Sequence, residues 1–107
     1  MKAFLLALAV LGPVGACATS GADAPPPAWA ATMGPARTER LVAGRSLFST
    51  RCQRCHALPE PGVKSSEEWP GEVAAMSTKS GLSAEQTTLV TEYLVAASRA
   101  ATSASSR

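Results

Sequence analysis

Histidine and cysteine are scarce in this chain of 107 residues, which has one histidine, His56, and three cysteines, Cys17, Cys52 and Cys55. A structural zinc site needs four cysteine or histidine ligands, so it would have to include Cys17, from a segment that we expect to be processed. Long apolar runs are missing too, because the run from Ala3 to Leu11 is too short to cross a bilayer. The sequence therefore argues against a zinc site and against a membrane-spanning segment.

Net charge is also small. Beyond residues 1–16, which contain one basic residue, nine basic and eight acidic side chains remain. This balance gives no case for nucleic-acid binding. The distribution is uneven: five arginines precede His56 with only Glu39 among them, and four of the six later glutamates lie within sixteen residues after it: Arg37, Arg40, Arg45, Arg51 and Arg54, then Glu60, Glu67, Glu68 and Glu72. A solvated helix face explains this pattern, and a docking patch is the alternative.

The segment Cys52-Gln53-Arg54-Cys55-His56 is the most informative part of the chain. Two cysteines separated by two residues and followed directly by histidine form the attachment pattern of a c-type haem. Each thiol can add to one haem vinyl group, and the histidine is then carried under the iron as an axial ligand. A thioredoxin-like dithiol prefers a strand-to-helix junction, and no strand-like alternation precedes Arg51, but this alternative stays open. A disulfide across so short a loop would gain little stability.

These residues resemble the cytochrome c family. The resemblance implies a small all-α fold of about three helices packed around one covalently bound haem c. Gly44 and Phe48, four residues apart ahead of the motif, resemble the amino-terminal helix that crosses the carboxy-terminal helix in this family. The stretch from Glu67 to Met76, followed by Gly81-Leu82-Ser83, also looks like compact haem domains such as those in quinohaemoprotein amine dehydrogenases, and this resemblance covers Arg45 to about Ala97. The resemblance implies an electron-transfer protein and not an enzyme.

Hydrophobic spacing predicts the first two helices. The first runs from about Thr38 to Arg51 and carries Leu41, Gly44 and Phe48 on one face, with Gly44 marking a close helix approach. The second begins around Ser65 or Ser66 in a possible capping box and runs to about Lys79, before a carboxy-terminal cap at Gly81. Its shared face consists of Trp69, Val73 and Met76, and Pro70 lies near its first turn.

A third helix is predicted after Ser83, where Ser83-Ala84-Glu85-Gln86 is a second possible capping box. It buries one apolar face, made of Leu89, Val90, Tyr93, Leu94 and Ala97. We expect the first and third helices to cross and the second to lie against the haem.

Met76 is the predicted sixth ligand, because methionine sulfur is the usual partner of histidine in high-potential cytochromes c. Met33 is the other candidate, but it lies in the predicted tether. Met76 follows His56 by only twenty positions, about half the familiar spacing, so a weakly held or absent sixth ligand stays open. A carbonyl of Pro59 or Pro61 can accept a hydrogen bond from His56 Nδ1, and the alternative is that these prolines only shape the loop.

The amino terminus has the charged, apolar and cleavage regions of a secretory signal over residues 1–16. Val14-Gly15-Ala16-Cys17 resembles a bacterial lipobox, which implies lipid on Cys17 and a protein held at a membrane in the periplasm. Ordinary cleavage, leaving Thr19 as the first residue, is the alternative. We predict an Ala/Pro-rich tether over residues 17–36, a haem domain over 37–98 and a flexible tail over 99–107.

Together these features predict a small exported carrier of single electrons, either free-standing or the haem subunit of a periplasmic dehydrogenase. Its partners would be a redox protein donor and acceptor, and the membrane through Cys17. A five-coordinate haem sensor or enzyme is the alternative if Met76 does not ligate iron. A thiol-disulfide protein that uses Cys52 and Cys55 is a second alternative.

Overall fold

The computed structural model describes residues 26–107. Three α-helices account for most of them: α1 over Pro35–Arg51, α2 over Trp69–Ser80 and α3 over Ala84–Ser105. Short 3-10 turns occupy Ala31–Met33, Cys52–Arg54 and Pro61–Val63. No strand occurs among residues 26–107, so the all-α prediction is confirmed for this part of the chain. The predicted signal, Cys17 and the first part of the tether lie outside the described residues.

Helices α1 and α3 cross at Gly44. A Cβ atom at Gly44 would overlap the carbonyl oxygen of Leu89 and lie 2.9 Å from Tyr93 Cβ, so only glycine allows the two backbones to approach this closely. Leu41 and Phe48 lie one turn to either side of Gly44, and both are buried as predicted. Helix α1 begins at Pro35, three residues before the predicted Thr38, because proline is favoured in the first turn, where its missing N–H is not needed.

Helix α3 begins with the predicted capping box. Ser83 Oγ accepts a hydrogen bond from the Gln86 N–H at 3.1 Å, and the Gln86 side chain accepts one from the Ser83 N–H at 3.0 Å. Val90, Tyr93, Leu94 and Ala97 are buried as expected, whereas Leu89 is only half-buried. The helix continues to Ser105, well into residues 99–107 that we expected to be a flexible tail, since alanine-rich sequence favours helix.

Helix α2 begins later than predicted. Its first residue is Trp69, not Ser65 or Ser66, because the Glu68 carboxylate accepts a hydrogen bond from the Ser65 N–H at 2.7 Å and closes a separate turn. Pro70 lies in the first turn, as expected. Gly81 ends the helix in the left-handed conformation, with φ of 65°, which confirms the predicted cap.

The amino-terminal segment before α1 packs against the helices. Ala30 is fully buried in a cluster with Leu41 and Ala96. The Trp29 ring stacks on Tyr93 at a centroid distance of 6.4 Å, and Thr38 Oγ1 donates to the Ala30 carbonyl at 2.8 Å. The packed unit therefore includes residues from Trp29 onward, which lie within the segment that we expected to be tether.

Candidate functional site

The Cys52-to-His56 motif lies directly after α1. The helix ends at Arg51, and its axis continues into the 3-10 turn Cys52–Arg54, in which the Cys55 N–H donates to the Cys52 carbonyl at 3.4 Å. Both cysteines are free thiols. The turn holds the two thiols at the end of a helix that is itself fixed by the crossing at Gly44.

The two thiols differ in environment. Cys52 is only 3% exposed and belongs to the main apolar cluster with Phe48, Trp69 and Val73, whereas Cys55 is exposed. Burial raises the pKa of the Cys52 thiol, and the neighbouring Cys55 raises it further. The Cys52 thiol is therefore held neutral inside the core, whereas Cys55 faces solvent.

His56 is exposed, and its Nδ1 atom lies 2.8 Å from the carbonyl oxygen of Ala57. A carbonyl oxygen only accepts hydrogen bonds, so this contact places the imidazole proton on Nδ1 and leaves the lone pair of the neutral ring on Nε2. The partner of Nδ1 is thus the Ala57 carbonyl and not the expected carbonyl of Pro59 or Pro61; the Pro61 carbonyl accepts a hydrogen bond from Trp69 Nε1 at 2.8 Å. The Ala57 carbonyl takes the orienting role that we had assigned to a proline.

Met76 is half-buried and packs against the main cluster, on the helix face that carries the buried residues Trp69 and Val73. That shared face is the one predicted from the sequence. Met33 is 38% exposed and lies in the 3-10 turn before α1. Ligation of iron by Met76 stays a prediction, but its packing beside the cluster that contains Cys52 suits it better than the exposed position of Met33.

The chemistry of these residues fits a covalently bound haem. Two free thiols lie three positions apart, and the adjacent imidazole has Nε2 available as a ligand. The main cluster is bordered by half-buried apolar side chains, including Leu58, Met76 and Leu82, which suit a large apolar ring. No group of three or more histidine, cysteine, aspartate or glutamate side chains that could hold a metal ion lies within residues 26–107.

Two side-chain donors fix the loop between His56 and α2, and neither hydrogen bond was predicted from the sequence. Besides the Trp69 bond to Pro61, Ser98 Oγ on α3 donates to the Lys64 carbonyl at 2.6 Å. Ser98 is 1% exposed. A serine in the middle of an alanine-rich helix gave no signal of this contact, because its partner is a backbone atom far away in sequence.

Charge pairs lie mainly away from the motif. Arg40 on α1 makes two hydrogen bonds, of 2.9 and 3.0 Å, to the Glu92 carboxylate on α3. This contact lowers the pKa of Glu92. Lys64 pairs with Glu72 at 3.1 Å. Some of the unevenly distributed charged residues thus form ion pairs, one between α1 and α3 and one between α2 and the loop that precedes it.

No protein-family model, curated protein or solved structure matches this chain. Within residues 26–107, no helix combines the length and the apolar character that crossing a membrane requires.

Proposed function

We propose that this chain is an exported single-electron carrier with one covalently attached c-type haem. The observation that carries the proposal is the Cys52-to-His56 motif at the end of α1, with both thiols free and Nε2 of His56 available. A carrier of this kind has no substrate chemistry of its own, and it works alone or as the haem subunit of a periplasmic dehydrogenase. Its partners are a donor and an acceptor protein. Its proposed location is the periplasm, where lipid on Cys17 holds it at a membrane.

Each residue has a distinct part in the proposed function. The haem, when bound, supplies an iron that accepts and releases one electron. Cys52 and Cys55 hold the ring through two thioether bonds, and His56 Nε2 is the proximal ligand. The Ala57 carbonyl, 2.8 Å from Nδ1, fixes the orientation of the imidazole and increases its basicity as a ligand. Met76 offers its thioether sulfur to the other side of the iron.

A five-coordinate haem sensor or enzyme is the second candidate. It is favoured by the short spacing between His56 and Met76, because a shorter chain between the two residues covers less of the haem edge. A thiol-disulfide function is less well supported, because burial raises the pKa of Cys52 and so lowers the fraction of reactive thiolate.

Covalent attachment is tested by expression in a bacterial host with cytochrome c maturation. Denaturing gels stained for haem peroxidase activity should show haem on the wild-type chain and none on the double variant Cys52→Ser/Cys55→Ser. Cys17→Ser is the matched control, since it removes the third cysteine and should retain haem. Wild-type protein without covalent haem would overturn the proposal.

Substitution of Met76 distinguishes the carrier from the five-coordinate protein. We expect Met76→Ala to lower the reduction potential and to open a site for carbon monoxide on ferrous iron, because the thioether both occupies the position and favours Fe(II). Met33→Ala should change neither property. Rapid carbon monoxide binding by the wild-type ferrous protein, measured by its visible spectrum, would instead favour the five-coordinate candidate.

A further inference from the structure

The length of free chain between Cys17 and the folded unit is shorter than the sequence suggests. Thr38 Oγ1 lies 2.8 Å from both the Ala30 and the Gly34 carbonyl oxygens, and Ala30 is fully buried. The structure describes the chain from Pro26, which is nine residues after Cys17. A flexible chain of nine residues has a root-mean-square span of about 17 Å, against about 25 Å for one as long as the whole predicted tether.

An apolar surface lies where this short chain enters the folded unit. A cavity of about 620 Å³ has a largely apolar lining that includes Pro26, Ala31, Pro35 and Val42. Met33, in the neighbouring 3-10 turn, is one of the exposed large apolar side chains. These five residues are called the amino-terminal surface below.

We propose that the amino-terminal surface lies against the bilayer that holds the lipid on Cys17. This inference rests on the lipid anchor in the proposed function and names the part of the domain that faces the membrane. A chain of nine residues reaches at most about 30 Å, which is close to the length of α3 alone at 1.5 Å per residue. The surface at the end of so short a chain therefore stays beside the membrane.

At this distance, a weak contact is sufficient to keep the amino-terminal surface on the membrane for much of the time. A short tether gives an effective concentration in the millimolar range, so a surface whose intrinsic affinity is also millimolar is in contact for much of the time. Glu39 lines the cavity and Arg37, two positions earlier in α1, is also exposed; their charges are opposite, so apolar contact contributes more than attraction to anionic lipid. The contact should therefore depend little on salt concentration.

Alkylation of an introduced cysteine tests the proposal. Met33→Cys protein is purified with its lipid, reconstituted in vesicles of phosphatidylethanolamine and phosphatidylglycerol, and treated with a water-soluble maleimide. The soluble Cys17→Ser form of the same variant is the reference. Labelling is measured by mass spectrometry on the Asp23-to-Arg37 peptide for position 33 and on the Ser65-to-Lys79 peptide for position 78, so Cys52, Cys55 and the haem do not affect the readout. Thr78→Cys, an exposed position on α2, is the matched control.

We expect position 33 to react about threefold to tenfold more slowly on vesicles than in the soluble form, and position 78 to react equally in both. High salt should leave this protection in place. Inserting twenty Gly/Ser residues between Ala22 and Asp23 should reduce the protection about twofold, because the mean distance from the membrane grows as the square root of tether length.

Three results would overturn the proposal, each for a different reason. Equal reaction of position 33 in both forms would show that the surface does not touch lipid. Slow reaction in both forms would show that residues 18–25 of the chain itself cover the surface. Recovery of the native protein in the soluble fraction would show that the anchor is absent, whereas failure of the haem proposal is detected separately by the peroxidase stain.

Discussion

The crossing of α1 and α3 and the loop from Cys52 to Glu60 differ in how far their side chains are buried. At the crossing, Gly44 lies against the Leu89 backbone, and Val90 and Leu94 are fully buried. In the loop, Cys55 and His56 are exposed, and the His56 ring contacts the carbonyl of the next residue. The polypeptide thus fixes its crossing through its own packing, whereas it leaves most of the motif side chains facing outward.

The largest predicted effect comes from adding one methyl group at the crossing. Gly44→Ala should lower the free energy of unfolding by on the order of 3 kcal/mol, because the new Cβ overlaps the Leu89 carbonyl and the helices must separate. Urea unfolding followed by circular dichroism measures this change. Gly71→Ala is the matched control: no atom lies within 4 Å of its Cβ position, and better helix propensity should make it neutral or stabilising by up to about 1 kcal/mol. Equal stability of the two variants would contradict the close approach at Gly44.

A smaller effect is expected on thiol reactivity in the motif. In the chain prepared without haem, iodoacetamide should alkylate Cys55 at least about tenfold faster than Cys52, because Cys52 is buried and its pKa is raised. Peptide mass spectrometry separates the two sites. In concentrated urea the two rates should converge, since unfolding exposes both thiols. Equal rates in native buffer would show that Cys52 is not part of the core.

The smallest effect concerns the ion pair beside the crossing. The Arg40 guanidinium lowers the pKa of Glu92, so the stability gained from this pair is present above the unfolded value of about 4.3 and is lost as pH falls through the folded value. Both side chains are well exposed, and Glu92→Gln should therefore cost less than about 1 kcal/mol at pH 7 and nothing near pH 2. Glu39→Gln, on the exposed surface of α1, is the control for loss of one charge. A loss at pH 7 as large as that of Gly44→Ala would show that charge and not packing holds the crossing.

Local signals in the sequence were sufficient for most of the helical structure. The spacing of Leu41, Gly44 and Phe48 predicts the buried face of α1, and the Ser83-to-Gln86 box predicts the start of α3, because both depend on residues within one or two turns. The start of α2 was predicted wrongly at Ser65 or Ser66. Two local hydrogen-bonding patterns compete there, and the turn closed by Glu68 is the one formed.

Contacts between distant residues could not be predicted in the same way. The stacking of Trp29 on Tyr93 joins an irregular, proline-rich segment to α3, and no periodic pattern precedes it. At the site, the motif identifies Cys52, Cys55 and His56 by type and spacing alone. The burial of Cys52 depends on packing against Trp69 and Val73, whereas Cys55 stays exposed, and this difference has no counterpart in the spacing.

If the chain is the proposed electron carrier, the two hydrogen bonds at Pro61 and Lys64 have a consequence for its rate of electron exchange. They attach the loop between His56 and α2 to Trp69 on α2 and to Ser98 on α3, and both donors are buried side chains. An electron carrier exchanges electrons quickly when its ligands move little between oxidation states, that is, when its reorganisation energy is small. In the proposed carrier, these bonds would limit the movement of the connecting chain and keep that energy low.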